Sequence, residues 1–368
     1  EIFSYIQDLV SDYNLRAFAR LNTEVHGVHY QQDQCLWQIH LHDQSILEAQ
    51  FVVFASGPLH VPQIPHIAGI KKFKGKIFHS SHWDHHYDLN GKNVASIGTG
   101  GSAIQYIPEI APVCKQLYVL QRTAAWVIPR DERLYHDLEK KLFSKYEWFR
   151  KLHRIRLYWS NESRVVPIVK PAVMKYAQKL AEAYIRYQVK DKETAKKLTP
   201  DYIMGCKRIL VSNQYFPTFN RKNVELVTEG IREVTENSII TADGKERPID
   251  CLIYGTGFIT DPRIYLKNFD CTGLNGIHLN DVWKDGAESY YGICVKGFPN
   301  LFQLLGPNTV LAHNSVLFMM EAQVNYILQM IALVDQSHSD AIVVKDQVQE
   351  KFNQDVQHML DNTVWQSG

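Results

Sequence analysis

The sequence has 368 residues, which is enough for two or three domains that each bury an apolar core. Its 40 Lys and Arg residues are balanced by 39 Asp and Glu residues, so no overall charge attracts nucleic acid or an anionic membrane. The six cysteines show no C-x-x-C pair and no metal-ligand spacing with histidine, so neither a zinc site nor a disulfide framework is indicated. No apolar run approaches the roughly 18 residues of a membrane span. These features predict a cytoplasmic protein with reduced thiols, and without a metal, a membrane or a nucleic-acid partner.

The first part of the chain contains one helix pattern, three strand patterns and one extended segment. Residues 1–15 have the helical spacing of apolar residues and not the pattern of a signal peptide. Strand patterns follow at residues 24–30, 36–41 and 46–57, and the last becomes fully apolar, as in a buried strand. Residues 60–69 are proline-rich, which predicts an extended crossover between domains.

The middle of the chain has the pattern of a parallel β-α-β unit. From Asn93 a short apolar strand leads into a glycine loop, an amphipathic helix and a second apolar strand at residues 116–123. Residues 131–203 carry apolar residues three and four apart within long charged segments, which predicts a helical insertion. Later patterns are strands at 223–228, 238–244 and 249–257 and a long helix around 315–334. This order predicts an α/β fold with a doubly wound sheet.

The glycine loop has the spacing of a dinucleotide-binding loop, because it follows a strand directly and opens a helix. Its backbone N–H groups are placed to approach a pyrophosphate at the positive end of the helix dipole. The loop residues are Gly98, Thr99, Gly100, Gly101, Ser102 and Ala103. A tight turn that binds nothing is the alternative, and the strand and helix on either side disfavour it.

The end of the second strand indicates which nucleotide is bound. An NAD-binding protein usually places an acidic residue there, about 20 residues after the glycines, to hold the ribose hydroxyls. Here the segment is Gln121-Arg122-Thr123. A guanidinium and a hydroxyl suit a 2′-phosphate, which a carboxylate would repel. The segment therefore favours NADP(H) over NAD(H), the alternative being an exposed arginine with no ligand.

A further pattern immediately precedes the glycine loop. Its residues are Phe73, Gly75, His79, Trp83 and Asp84, spaced F-x-G-x-x-x-H-x-x-x-W-D. This pattern resembles the fingerprint of Baeyer–Villiger monooxygenases, which are flavoproteins related to the flavin-containing monooxygenases. The resemblance implies that His79 and Trp83 brace the segment linking two nucleotide domains and take no part in the chemistry. The alternative is an aromatic pair packed under a loop. The resemblance extends over residues 52–65, 121–130, 206–209, 219–227, 250–258 and 297–309.

The resemblance implies an enzyme that uses NADPH, FAD and O2 to insert one oxygen atom next to the carbonyl of a small-molecule ketone. In such enzymes the cofactor supplies the reactive oxygen and the protein holds charge and geometry. Arg208 matches the family's active-site arginine, whose permanent charge suits the anion formed on oxygen. Lys207 matches a residue that contacts the 2′-phosphate together with Arg122 and Thr123. Without the resemblance, Lys207 and Arg208 would be an ordinary charged pair at a helix-to-strand junction.

Two later segments resemble the parts of this family that contact FAD. Gly255, Thr256 and Gly257 follow an apolar strand and resemble the second glycine turn, which returns the chain to FAD. Asn308 lies in a segment, continued at residues 312–315, that resembles the loop reaching the flavin ring. The alternatives are a tight turn in the first case and a helix N-cap at Asn314 or Ser315 in the second.

The family's N-terminal β-α-β unit, whose glycine loop binds the ADP part of FAD, has no counterpart in these 368 residues. We therefore expect that the chain is a piece of a longer protein and that its FAD site is incomplete. The resemblance divides the chain into two Rossmann-like domains and an insertion. The remainder of the FAD domain is assigned to residues 1–66 and 253–368, the NADP domain to 67–130 and 204–252, and the helical insertion to 131–203.

Two other functions remain open. One is oxygenation of nitrogen or sulfur, which needs no arginine beside the flavin; Arg208 and the Trp83-Asp84 ending favour the ketone. The other is an NADP-binding fragment without catalytic activity. Neither the identity of the ketone nor the oligomeric state follows from the sequence.

Overall fold

The computed structural model describes residues 2–131, 133–309, 314–361 and 363–367. Contacts between Cα atoms divide the chain into two compact units. The first unit contains residues up to Gly57, Asp261–Thr309 and Met319–Asn353. The second contains Pro58–Thr260 with the described residues of two later segments, one ending at Phe318 and one beginning at Gln354. The assignment of these parts to FAD and NADP stays a prediction.

The helices and strands are numbered in chain order. The α-helices are α1 Ile2–Asp12, α2 Ala103–Ile110, α3 Asp137–Lys145, α4 Glu147–Glu162, α5 Val165–Val169, α6 Pro171–Gln188, α7 Lys192–Lys197, α8 Tyr215–Thr218, α9 Pro262–Tyr265, α10 Leu279–Val282, α11 Val316–Gln336 and α12 Asp346–Leu360. Short 3-10 helices cover Leu15–Phe18, Ile70–Lys72, Ser80–His82, Leu274–Gly276 and Val364–Ser367. The strands are β1 Val25–Gln31, β2 Leu36–Leu41, β3 Ile46–Ala49, β4 Val52–Phe54, β5 Lys76–His79, β6 Asn93–Ile97, β7 Gln116–Leu120, β8 Val127–Ile128, β9 Leu210–Val211, β10 Val224–Val227, β11 Ile231–Val234, β12 Ser238–Thr241, β13 Glu246–Pro248, β14 Cys251–Tyr254, β15 Asp270–Thr272 and β16 Leu301–Gln303.

The second unit is built on a five-stranded parallel sheet with the order β10-β7-β6-β14-β5. The helix α2 connects β6 to β7 and buries its apolar side, including Ile104 and Ile107. Such a β-α-β unit in a parallel sheet is the Rossmann-like arrangement that the sequence predicted. The carboxyl ends of the strands therefore share one edge of the sheet, and β6 and β14 bring their loops together there.

The two faces of this sheet are covered differently. Val94 and Ile253 point to the face that packs against α2 and the helix α6 of the insertion. Their neighbours Ala95 and Leu252 point to the other face, which packs against the antiparallel sheet β11-β12-β13. A doubly wound sheet would have helices on both faces. That expectation is wrong for the second face, because residues 231–248, between β10 and β14, form the separate antiparallel meander β11-β12-β13.

The segment from 131 to 203 is helical, as predicted, and contains α3 to α7. The helix α6 buries Met174, Ala181 and Ile185 in the core of the second unit. The chain on either side of this helical segment is joined by hydrogen bonds between Arg130 and Asn213. The side chain of Asn213 accepts a hydrogen bond from the Arg130 N–H at 2.9 Å and donates to the Arg130 carbonyl at 2.9 Å. This paired contact joins the two ends of the segment 131–212 beside β8 and β9.

The first unit contains the four-stranded sheet β15-β1-β2-β3. Its buried side is centred on Trp37, whose indole N–H donates to the Pro299 carbonyl at 2.8 Å. The strand predicted over residues 46–57 is split, because β3 pairs with β2 whereas β4 leaves that sheet and pairs in parallel with β16. The continuous apolar run therefore marks a change of sheet and not one long buried strand.

The helix α11 is long and apolar. It has 21 residues and a mean hydropathy of 1.4 over an 18-residue stretch, of which 11% is buried, so by length and composition alone it would suit a membrane span. The expectation that no apolar run approaches this length is wrong for α11. The polar residues that interrupt its apolar sequence are mostly uncharged Gln and Asn. The same length and composition also occur in core helices of soluble proteins, which are mostly buried.

Candidate functional site

The glycine loop after β6 lies against the glycine turn after β14. Gly98 has a φ of 107°, and a Cβ at this position would collide with the Gly255 carbonyl oxygen. A Cβ on Gly255 would in turn lie 2.5 Å from the Tyr106 hydroxyl oxygen. Around Gly100, by contrast, the space within 4 Å of such a Cβ is open among the described residues. The two loops therefore touch backbone to backbone, and Gly100 leaves room for a ligand beside them.

The N-terminus of α2 has the chemistry of an anion site. The Ser102 side chain makes no capping hydrogen bond, and the Ile104 and Gln105 N–H groups donate to the Gly100 and Ser102 carbonyls. The N–H groups of residues 100–103 have no partner among the described residues, so they can bind a pyrophosphate, which the helix dipole also favours. The residues present thus fit the predicted dinucleotide.

We expect the two glycines to respond differently to alanine. Gly98→Ala should lower the free energy of unfolding by about 1–3 kcal/mol, because the new Cβ strains a positive-φ backbone and meets Gly255. Gly100→Ala should leave that free energy within about 0.5 kcal/mol but weaken NADPH binding, because its Cβ occupies the open space. Urea unfolding and NADPH titration of both variants measure the two effects. Equal loss of stability in both would contradict the different roles.

The predicted 2′-phosphate residues lie just beyond β7. Arg122 and Thr123 are both exposed. The Thr99 hydroxyl donates to the Thr123 carbonyl at 3.1 Å, which ties the strand end to the glycine loop. The neighbouring Gln121 is buried and donates through Nε2 to the Lys197 carbonyl at 2.7 Å. The structure therefore anchors this strand end to both the glycine loop and the last helix of the insertion.

The segment that carries Lys207 and Arg208 is held next to the glycine loop and the end of β7. Just after it, β9 pairs with β8, and the Leu210 N–H donates to the Trp126 carbonyl at 2.8 Å. A Cβ on Gly101 would lie 3.7 Å from Leu210 Cδ2, so the glycine loop packs against this ladder. The ladder brings the Lys207-Arg208 turn into the neighbourhood of the glycine loop and the β7 end.

Two features that the sequence did not reveal shape this turn. The Trp126 indole N–H donates to the Tyr202 carbonyl at 2.9 Å, and Lys207 Nζ lies 4.5 Å from the centroid of the Tyr202 ring. Gly205 has a φ of 95°, and a Cβ there would lie 2.8 Å from Met174 Cε. Lys207 and Arg208 are both exposed. A glycine followed by two cations was the available signal, but nothing in the sequence indicated the partners.

The fingerprint histidine holds the second glycine turn. His79 is 4% exposed. Its Nδ1 accepts a hydrogen bond from the Ser81 N–H at 3.1 Å, so the ring proton lies on Nε2, which donates to the Gly257 carbonyl at 3.0 Å. Burial lowers the pKa of His79, which keeps the imidazole neutral. His79 thus braces the turn from β5, the edge strand of the sheet.

Protonation of His79 should destabilise the fold. Because burial lowers the pKa of His79 in the folded chain, stability is full above the unfolded histidine pKa of about 6.5 and falls as the pH drops below it. His79→Gln can still donate through Nε2 but does not titrate, so its unfolding free energy should depend less on pH between 7 and 5. The exposed His85→Gln is the matched control. Urea unfolding at several pH values tests this, and an unchanged profile in His79→Gln would refute it.

The other fingerprint residues pack around the start of the same sheet. The centroid of the Trp83 ring lies 5.0 Å from that of the Phe78 ring and 5.3 Å from that of the Tyr106 ring. Asp84 forms an ion pair with Lys76 at 2.5 Å, and this hydrogen bond lowers the pKa of Asp84. These contacts are structural and place no reactive group of Trp83 or Asp84 in open space.

Phe73 and Gly75 are closely packed just before β5. A Cβ on Gly75 would lie 2.5 Å from the Asp250 carbonyl oxygen and would also collide with the Phe73 ring. Phe73 itself packs against the core beneath the antiparallel sheet. Glycine is therefore required here by close approach, which explains its place in the pattern.

The second glycine turn is held by the extended segment before the fingerprint. The Gln63 N–H donates to the Gly257 carbonyl at 2.9 Å, and the Thr256 hydroxyl donates to the Gln63 carbonyl. Gly257 has a φ of 78°, and the space that a Cβ would take is open among the described residues. The Gly257 carbonyl therefore accepts from both Gln63 and His79, and its turn leaves backbone accessible to a ligand.

Asn308 lies in the first unit, in a loop after β16. It has a φ of 66°, and its Nδ2 lies 3.4 Å from Asn353 Oδ1, its acceptor. Near this loop the buried Nε2 atoms of Gln303 and Gln349 have no hydrogen-bond partner among the described residues, so they fit a ligand rich in acceptors such as FAD. Ala312 and His313 lie outside the described residues. Asn314 Oδ1 is buried without a partner in that part of the chain, so this side chain does not cap α11.

Four of the six thiols, those of Cys114, Cys251, Cys271 and Cys294, are made poor nucleophiles by burial. All six cysteines lie among the described residues and are free. Burial raises the pKa of Cys114 to about 11 and those of Cys251 and Cys294 to about 12. Among the described residues, no group of three or more His, Cys, Asp or Glu side chains is arranged to hold a metal.

Comparison with known proteins identifies the family. Residues 1–265 match the flavin-binding monooxygenase-like family. A Baeyer–Villiger monooxygenase of Pseudomonas aeruginosa is 42% identical over the whole chain, which covers 70% of that protein. The structure of a steroid monooxygenase bound to NADP superposes with a TM-score of 0.90 at 28% identity, over 100% of this chain and 77% of the other. The structure of OTEMO in complex with FAD and NADP superposes with a TM-score of 0.88 at 27% identity, over 99% of this chain and 76% of the other.

The resemblance stated from sequence is confirmed, and so is the Rossmann-like α/β fold. The chain belongs to the flavin-binding monooxygenase-like family and, within it, to the Baeyer–Villiger monooxygenases.

Proposed function

We propose that this protein is an NADPH- and FAD-dependent monooxygenase that inserts one oxygen atom of O2 next to a ketone carbonyl and forms an ester or lactone. One observation of the structure carries the proposal. Within the second unit, the ladder β8-β9 fastens the Lys207-Arg208 turn beside the glycine loop and the β7 end that carries Arg122. Cationic groups are thus grouped at the edge of the sheet where a nucleotide would lie.

The roles of these residues follow from their chemistry. The glycine loop of residues 98–103 binds the pyrophosphate of NADPH through the N–H groups of residues 100–103, because the Gly98 N–H donates to the Leu120 carbonyl. Arg122, Thr123 and Lys207 bind its 2′-phosphate. FAD, when bound, would supply the redox chemistry that couples NADPH to O2. Gly255, Thr256, Gly257 and Asn308 are the residues assigned to FAD, and the open space beside Gly257 supports this assignment.

Arg208 stabilises the negative charge that develops during the reaction. Its guanidinium cannot lose its proton, so it offers a permanent positive charge to the oxygen on which negative charge develops as the ketone is attacked. His79 and Trp83 position the glycine turns and do not touch the reacting atoms. Oxygenation of nitrogen or sulfur needs no such arginine, so Arg208 is the feature that favours the ketone.

The test measures flavin, coenzyme and product separately. The purified protein at its natural full length, with FAD added, is scanned for bound flavin, and NADPH oxidation and ester formation are then followed with cyclic and aryl ketones. We expect ketone-dependent NADPH oxidation and an ester product. Oxidation of amines or sulfides without any ester would favour the second function, and NADPH binding without bound flavin would favour a silent fragment.

We also propose a cytoplasmic location and no association with membranes. The free cysteines support a reducing compartment. The apolar helix α11 is the feature that argues against it, so fractionation of cells expressing the protein is the appropriate measurement. Recovery in the membrane fraction would overturn this part of the proposal.

A further inference from the structure

One polar side chain lies on the buried side of α11. The buried residues of this helix are Gln323, Ile327 and Val334, and Gln323 is 6% exposed. A buried amide is costly unless its donor and acceptor are both bonded. Gln323 Oε1 accepts a hydrogen bond from the Leu305 N–H at 2.9 Å, and its Nε2 donates to the Tyr291 carbonyl at 3.4 Å. One side chain therefore joins two loops of the first unit.

Both loops have unfavourable backbone conformations at these contacts. Tyr291 has a φ of 54°, Leu305 a φ of 55° and Asn308 a φ of 66°. Left-handed backbone is disfavoured for residues with a Cβ, and most strongly for large side chains such as Tyr and Leu. Such conformations persist only where the surroundings fix them, and they concentrate at functional sites. Gln323 bonds the backbone of the two bulky residues.

The two loops pack closely against each other. The Gly306 N–H donates to the Gly292 carbonyl at 3.1 Å, and the Thr309 hydroxyl donates to the Gly306 carbonyl at 2.7 Å. A Cβ on Gly306 would lie 2.5 Å from the Gly292 carbonyl oxygen. A Cβ on Gly292 would collide with Thr309 Cγ2 and lie 3.3 Å from Gln323 Nε2. The turn from Leu305 to Thr309 is thus held from both sides.

We infer that Gln323 is a positioning residue for the flavin. It holds the turn from Leu305 to Asn308 in its strained shape, and this shape presents Asn308 to FAD. The inference rests on the proposed function, in which Asn308 contacts FAD. Gln323 acts through the backbone of Leu305 and has no contact with the reacting atoms.

The first experiment removes both hydrogen bonds at nearly constant volume. Gln323→Met leaves the Leu305 N–H without an acceptor, so its amide hydrogen exchange in the cofactor-free chain should accelerate by about tenfold or more. FAD affinity, measured by quenching of flavin fluorescence, should fall by a similar factor. NADPH affinity should stay unchanged, because the NADP residues lie in the second unit. Gln329→Met, at an exposed position of the same helix, is the matched control.

The second experiment switches one of the two hydrogen bonds by protonation. In Gln323→Glu, both forms of the carboxyl can accept from the Leu305 N–H, but only the protonated form can donate to the Tyr291 carbonyl. The Gly306 N–H bonds to Gly292, beside Tyr291, so its exchange, corrected for its intrinsic pH dependence, should resemble the wild type at low pH and be faster at high pH. FAD affinity should follow the same profile. A residue that only fills space would show no such profile.

The outcomes separate this inference from the proposed function. Unchanged Leu305 exchange in Gln323→Met, or no pH profile in Gln323→Glu, would overturn the role of Gln323 in holding the turn. Faster exchange with unchanged FAD affinity would overturn its role toward the flavin. FAD affinity is measured on the protein at its natural full length. A full-length wild type that binds no FAD would contradict the proposed function, and with it the flavin role, while the exchange measurement would still decide whether Gln323 holds the turn.

Discussion

Replacing Arg208 with alanine should lower ester formation by about 10²–10³-fold, which is the usual cost of removing one preorganised charge from a site where an anion develops. NADPH should still bind, because Arg122 and Lys207 remain in place. Flavin reduction is expected to slow less than ester formation. Arg208→Lys should restore little, because an ammonium lacks the planar fork and loses its proton more readily when desolvated.

The measurement follows NADPH oxidation and ester yield separately with one cyclic ketone and one aryl ketone. Arg221→Ala is the matched control, since Arg221 is an exposed arginine of the same unit outside the proposed site. An ester yield per NADPH in Arg208→Ala close to that of the wild type would remove Arg208 from the chemistry.

Replacing Arg122 with alanine should weaken NADPH binding by about 10- to 150-fold, because a charge-assisted contact with the 2′-phosphate is worth roughly 1.5–3 kcal/mol. NADH lacks this phosphate, so its affinity should change little. Titration of both coenzymes gives the ratio directly, again with Arg221→Ala as the control. Equal loss for both coenzymes would show that Arg122 does not read the phosphate.

The parts of the fold with a local signal were predictable from the sequence. The strand, glycine loop and helix at residues 93–110 follow from apolar periodicity and turn chemistry, and the structure has them there. The split between β3 and β4 was not predictable, because an apolar run looks the same whether or not it changes sheet.

Contacts between distant residues formed the unpredictable part of the site. The residue types of His79 and Gly257 were noted, but the hydrogen bond between them depends on β5 lying beside β14. The contact of Trp126 with Tyr202 likewise depends on how the insertion returns to the sheet. Periodicity gives the direction of a side chain but not the partner that it meets, so such pairs need the folded chain.

The paired hydrogen bonds between Asn213 and Arg130 have a consequence for how such enzymes diversify. They hold residues 130 and 213 together, so the length of the chain between them places little demand on β8 and β9. Doubling the length of a flexible loop costs only about 0.6 kcal/mol of closure entropy. The helices α3 and α4 bury none of their side chains, whereas α6 packs into the core of the second unit. The part formed by α3 and α4 is therefore exchangeable, and a graft from a relative that preserves the paired contact can replace it while the coenzyme site stays intact.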